Sequence, residues 1–181
     1  MEYLKVIRLK NGKECILRNG TAQDGKELLS IFLLTHEQTD YLASYPDEST
    51  MTDEGEAAFL KEKTASPNEI EILGIVDGTV IASAGINRVG SKDKVKHRAD
   101  FGISVNKAYW GQGIGRALTK ACIECAGKAG YAQLELEVVA ENERAISLYE
   151  SEGFVEYGRN PKGFKSRHTG WQELVLMRLE L

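Results

Sequence analysis

The fourteen residues Val105-Asn106-Lys107-Ala108-Tyr109-Trp110-Gly111-Gln112-Gly113-Ile114-Gly115-Arg116-Ala117-Leu118 constrain the fold more than any other stretch of the chain. They read as the end of a β-strand, a tight glycine-rich turn and the first turn of a helix. Glycines at 111, 113 and 115 leave the backbone N–H groups uncovered. At the start of a helix such groups cradle an anion, for example a phosphate or pyrophosphate. A dinucleotide fingerprint needs a third glycine where Arg116 stands, and a P-loop needs Gly-Lys followed by Ser or Thr, which this loop lacks. The remaining reading is a phosphorylated ligand held on a strand–turn–helix unit of a mixed α/β chain.

A second block follows downstream. Leu134-Glu135-Leu136-Glu137-Val138 alternates apolar and polar residues, as a strand does. Next comes Asn142-Glu143-Arg144-Ala145-Ile146-Ser147-Leu148-Tyr149-Glu150-Ser151-Glu152-Gly153-Phe154. Asn142 and Tyr149 are nearly two helical turns apart, so they share one face at about 10 Å, with Ala145 and Ile146 between them. Asn also favours helix N-caps, and Tyr149 equally suits a core aromatic with a local hydroxyl partner. From the residues alone, the structural and functional readings both stand.

The two blocks in this order resemble the Gcn5-related N-acetyltransferase (GNAT) superfamily. In its cofactor loop, Arg or Gln, two spacers, Gly, one spacer, then Gly or Ala open a helix. Gly113 and Gly115 fill the two small positions, and Trp110 replaces the usual Arg or Gln. The second block matches the family's Asn, Ala, Tyr and Gly-Phe spacing through Asn142, Ala145, Tyr149, Gly153 and Phe154. The resemblance runs from about residue 15 to 180, leaving 1–14 as an added N-terminal hairpin strand on one domain of 181 residues. It implies an acyl-CoA N-acyltransferase fold of the α/β (α+β) class, with a mixed central sheet splayed between two parallel strands and flanked by helices.

What the resemblance implies chemically is acetyl transfer from acetyl-CoA to a primary amine by direct attack in a ternary complex. Pantetheine would pair with Ile103, Ser104 and Val105, and the pyrophosphate would rest on amides of Gln112, Gly113, Ile114, Gly115 and Arg116. Asn142 joins this cofactor set. Gly102 would sit at a bulge that helps open the sheet. Neutralising an amine of pKa near 10.4 at pH 7 costs roughly 4.6 kcal/mol, so a base or water relay is expected. Tyr149 is the expected general acid for the leaving thiolate, and Asp100 or Glu137 the expected base, with His97 a weaker third. The acceptor is expected to be a small molecule. The same core also suits a protein N-terminus or lysine as acceptor, or a non-catalytic acyl-CoA-binding module.

Family members shape the acceptor site with segments that correspond here to 33–56 and 160–170. The first carries Glu37, Asp40, Asp47, Glu48, Asp53 and Glu54, which suit either a cationic amine or a solvated loop. The second carries Lys162, Lys165, Arg167 and His168, of opposite sign.

Composition narrows the remaining classes. A net charge of −4 disfavours wholesale nucleic-acid binding, and no apolar run is long enough to span a membrane. Three cysteines and no leader-like opening suggest a cytoplasmic protein without a disulfide framework. Cys122 and Cys125 fall on an apolar stripe with Ile114, Leu118 and Ala121, which predicts core packing and no metal site. A homodimer is compatible with the fold, and the basic run from Lys92 to Arg98 reads as a solvated loop. The turn pairs Asn11-Gly12 and Asp77-Gly78 predict hairpins over 3–18 and 70–88. Helices are expected from Asp24 to Leu33, from Glu54 to Lys63 and from Gly113 to Gly130. Strands are expected over 95–105 and up to Arg159, then a loop over 160–170 and a last strand over 173–179.

Overall fold

The two turn pairs close the expected hairpins because their residues take the positive φ that primed turns require: 86° at Gly12, 50° at Asp77 and 78° at Gly78. The computed structural model describes all residues from Met1 to Leu181. The first hairpin joins β1 (Leu4–Arg8) to β2 (Glu14–Asn19), and the second joins β3 (Ile70–Val76) to β4 (Thr79–Arg88). Between them run α1 (Gly25–Gln38) and α2 (Asp53–Ala65). Then follow β5 (Arg98–Val105), α3 (Ile114–Lys128), β6 (Gln133–Val139), α4 (Glu143–Ser151), β7 (Val155–Ser166) and β8 (Gly170–Glu180).

All eight strands form one sheet in the order β1-β2-β3-β4-β5-β6-β8-β7. Every neighbouring pair is antiparallel except β5 and β6. One apolar cluster joins the sheet to α3, where Leu118, Ala121, Cys122 and Cys125 are buried, so the CxxC pair is core. A smaller cluster of Leu28, Ile31, Leu60, Leu73, Ile75 and Val80 seats α1 and α2 on the opposite face.

Three expectations need correction. Asp24 does not cap α1 with its side chain. Its carboxylate instead accepts from the Thr21 N–H at 2.8 Å and pairs with the Arg18 guanidinium at 2.6 Å, while a short 3₁₀ turn leads into a helix that ends five residues later than expected. Second, 160–170 is not a loop. β7 runs through Pro161 to Ser166 and turns directly into β8. It can do so because it is the edge strand, where a proline's missing N–H costs no ladder bond, and because its register slips between Asn160 and Phe164. Third, Gly102 forms no bulge, since it pairs with Gly85 in an unbroken β4–β5 register.

What does part the sheet is the end of the β5–β6 ladder. Pairing stops at Asp100 opposite Glu135, although β5 continues to Val105 and β6 to Val139. The sheet is therefore splayed between its two parallel strands, and Gly102 stands where they separate.

Candidate functional site

A cleft of about 940 Å³ opens at this parting. One of its walls is β5. The Asn106 N–H reaches back to the Ile81 carbonyl at 2.9 Å, which orients the strand. Because backbone groups alternate sides along a strand, those of Ser104 face β4, and those of Ile103 and Val105 face the gap. Two of the three β5 residues singled out from sequence thus turn their backbone groups toward the cleft. The Val105 carbonyl already accepts from the Trp110 indole N–H at 2.7 Å. That bond gives Trp110 a local function at the position where the family motif usually has Arg or Gln.

The glycine loop forms one end of the cleft. Gly111 and Gly113 take φ of 80° and 96°, and Gly113 is the left-handed N-cap residue of α3. A Cβ on Gly113 would meet nothing within 4 Å, so the space over the first turn of α3 is open. Ile114 and Gly115 line this end along with Gly113, as does Arg116. The Arg116 side chain, however, leans away onto Ser151 at 3.0 Å and Glu152 at 3.1 Å.

Gln112 does not line the cleft. Its side-chain oxygen accepts from the Asn11 N–H at 3.1 Å, and its carbonyl accepts from the Lys10 N–H at 3.4 Å. The β1–β2 turn is docked on the back of the loop. That docking brings Lys10 to the cleft, which Arg144 at the start of α4 also lines. Lys10 and Arg144 make no ion pair with a carboxylate, and Arg144 lies 5.7 Å from the centre of the Trp110 ring. Neither cation was singled out from sequence. Arg144 stood inside the second motif, whereas Lys10 is about a hundred residues from the loop it serves.

At the parting itself, Asp100, Glu137 and Tyr149 face one cavity. Tyr149 is buried, held edge-on to Phe101 at 6.0 Å and packed on Phe154 at 5.9 Å. Its hydroxyl makes no hydrogen bond within the protein, and burial pushes its pKa up to about 12. Asp100 is raised above the ordinary carboxylate value, first by loss of water, then by repulsion from Glu135 and Glu137, with Arg98 opposing. The Arg98 guanidinium is committed to Glu135, with one contact at 2.6 Å. Asn142 lines the cleft and also caps α4, accepting from the Ala145 N–H at 3.4 Å. His97 does not line the cleft.

The arrangement offers a slot with strand edges and uncovered helix-start amides at one end, and a tyrosine and two carboxylate residues lining it farther along. It suits a long ligand with a phosphorylated head, whose far end reacts beside Tyr149.

Comparison with known proteins bears on the family and the fold. The sequence model of the acetyltransferase (GNAT) family matches residues 31–154. The ribosomal protein bS18-alanine N-acetyltransferase of Escherichia coli K12 is 52% identical over 81 residues, which is 45% of this chain and 54% of that protein. The N-alpha-acetyltransferase RimI of Mycobacterium tuberculosis is 37% identical over 103 residues, 56% of this chain and 61% of that one. With an uncharacterized Mycobacterium leprae protein included, the chain spans between 26% and 61% of these curated relatives' lengths. Among solved structures, a GNAT-family acetyltransferase from Streptococcus pneumoniae superposes with a TM-score of 0.88 at 27% identity, covering 92% of this chain and 99% of that one. An acetyltransferase-like protein of Salmonella typhimurium with the same fold, solved with acetyl-CoA, gives 0.80 at 20% identity, covering 92% and 94%.

Proposed function

The chain belongs to the acetyltransferase (GNAT) family, whose model spans 124 of its 181 residues, and from that premise we propose that it transfers the acetyl group of acetyl-CoA to a primary amine. The observation that carries this reading is the parting of β5 from β6, with the glycine loop at one end of the cleft and Tyr149, Asp100 and Glu137 lining it. Pantetheine lies along the gap-facing backbone of Ile103 and Val105 as an added strand, which needs no particular side chain. The pyrophosphate rests on the amides from Gly113 to Arg116, where the dipole of α3 adds roughly 1 kcal/mol. Lys10 and Arg144 face the remaining phosphate charge.

The amine nitrogen attacks the thioester carbonyl carbon and the carbon–sulfur bond breaks. Asp100 takes the amine proton, directly or through water, and its raised pKa makes it a better acceptor than an ordinary aspartate. Glu137 is the neighbouring carboxylate for the same step. Tyr149 faces the leaving sulfur. With its pKa near 12 against about 8.5 for a free thiol, complete proton transfer to sulfur is uphill by roughly 5 kcal/mol. Tyr149 therefore works as a hydrogen-bond donor to the sulfur while negative charge builds on it.

The acceptor is a small amine. A protein N-terminus is the second reading, favoured by the likeness to the bS18-alanine and RimI enzymes. The test is release of CoA thiol from acetyl-CoA across amines and short peptides. Tyr149→Phe is expected to lower kcat by roughly a hundredfold while leaving the Kd for acetyl-CoA within about twofold. Unchanged turnover would remove Tyr149 from the mechanism, and absence of acetyl-CoA binding would overturn the reading as a whole.

A further inference from the structure

We propose that the acceptor amine carries an apolar group beside its nitrogen, and that Asp40 is the positioning residue that holds the pocket for that group in shape. The inference rests on the acetyl-transfer reading above. If the donor occupies the cleft from the glycine loop to Tyr149, the acceptor must enter through what is left. That wall consists of Thr35 and Thr39 from the end of α1, Tyr41-Leu42-Ala43 just after it, and Phe164 on β7. It is mostly apolar.

The acids of 33–56 are not in it. None of Glu37, Asp40, Asp47, Glu48, Asp53 and Glu54 lines the cleft. Asp47 and Glu48 are taken by Arg167, at 2.7 and 3.3 Å. The segment therefore does not present a polyanionic face to a polyamine. The carboxylates that do remain, Asp100 and Glu137, sit at the base, where one amine nitrogen would arrive.

The wall is made of two pieces far apart in sequence, and Asp40 joins them. One carboxylate oxygen accepts from the Ser166 hydroxyl at 2.6 Å, and from Thr169 and the Gln172 amide at 3.4 Å. The other accepts from the Tyr45 hydroxyl at 3.0 Å, and the Asp40 carbonyl takes a second Gln172 N–H at 3.1 Å. Tyr45 in turn receives the Arg167 N–H at 2.8 Å and stacks under its guanidinium at 4.2 Å. Asp40 immediately precedes Tyr41, and Ser166 lies two residues beyond Phe164. One short hydrogen bond therefore sets the distance between the two apolar halves. Ser166 is buried, so removing its carboxylate acceptor leaves that hydroxyl without its shortest bond and loosens the join, although Gln172 keeps the Asp40 carbonyl.

The experiment compares four acceptors: phenethylamine, spermidine, and two pentapeptides that differ only in an N-terminal Leu or Lys. Phenethylamine or the Leu peptide is expected to exceed its cationic counterpart by at least about tenfold in kcat/KM; the better of the two identifies a small molecule or a chain terminus as the source. Equal or better turnover of spermidine and the Lys peptide overturns the substrate class, as does turnover of neither apolar acceptor by an enzyme active on other amines. Asp40→Ala is expected to raise KM for the apolar acceptor by about tenfold, with kcat and the Kd for acetyl-CoA nearly unchanged and partial recovery in Asp40→Asn. An unchanged KM overturns the positioning role. Should Asp40→Ala fail to bind acetyl-CoA, Tyr45→Phe must still raise KM alone, and if it does not the role is likewise overturned. Thiol release with no amine at all would count against acetyl transfer and not against this pocket.

Discussion

At the scale of single residues, the site separates groups that hold charge from groups that move protons. Lys10 and Arg144 reach the cleft without a carboxylate partner, so their full charge is available to a phosphorylated ligand. Replacing either with Gln is expected to weaken acetyl-CoA binding by roughly two- to fivefold, the scale of one exposed ion pair. The difference from wild type should shrink as salt rises, because such charges are screened. Titration calorimetry at low and high salt measures this, and a salt-independent loss would mean that the side chains matter only for packing. Asp100 gives a pH test. Its carboxyl is raised by burial and by Glu135 and Glu137, and it accepts a proton only when ionised. At saturating amine, kcat is expected to fall as pH is lowered through a value above that of an ordinary aspartate, and Asp100→Asn should flatten that limb. A profile unaltered by the substitution would transfer the base role to Glu137 or to water.

At the scale of elements, the seating of α2 on the sheet sets the buried Glu56 against a half-buried acid, Glu71. The Glu71 carboxyl on β3 lies over Gly85, where a Cβ would come within 2.1 Å of its oxygen, so only glycine leaves it room. Burial raises Glu71 to about 7, against help from Ser83 and Lys63, and Glu56 on α2 adds repulsion. A carboxyl raised on folding binds more protons folded than unfolded, so it lowers stability as pH rises through the window from its unfolded value to about 7. Glu71→Gln is expected to stabilise the fold at pH 8 by about 1–3 kcal/mol and to have little effect near pH 4.5. Thermal melts of both proteins at the two pH values decide it, and equal gains at both would point to packing. Much at this scale was legible in sequence: turn pairs at Asn11-Gly12 and Asp77-Gly78, the glycine loop, and the helix that aligns Asn142 with Tyr149 all rest on local geometry. The strand through Pro161 was not legible, because its tolerance depends on β7 being an edge, which is a property of the sheet. The docking of Gln112 on Asn11 and the Asp40–Ser166 bond were hidden for the same reason, each joining residues more than a hundred positions apart.

At the scale of the whole molecule, the eight-stranded sheet lacks hydrogen bonds between β5 and β6 beyond Asp100 and Glu135. Acetyl-CoA pairing there would bind only the folded chain. At a concentration of about 100 Kd such a ligand adds roughly 2.7 kcal/mol, or about 5–11 °C in the midpoint of a protein of this size. Differential scanning calorimetry with acetyl-CoA measures the shift, and pantetheine alone should give a smaller one. A melt insensitive to acetyl-CoA would contradict the proposed placement. The same gap raises a question of self-avoidance. Two bare strand edges within one sheet invite each other, or any extended chain, to complete the ladder. Asp100 and Glu137 stand on opposite lips of the gap and repel one another, so closing the gap would press together the two carboxylates proposed to handle the amine proton.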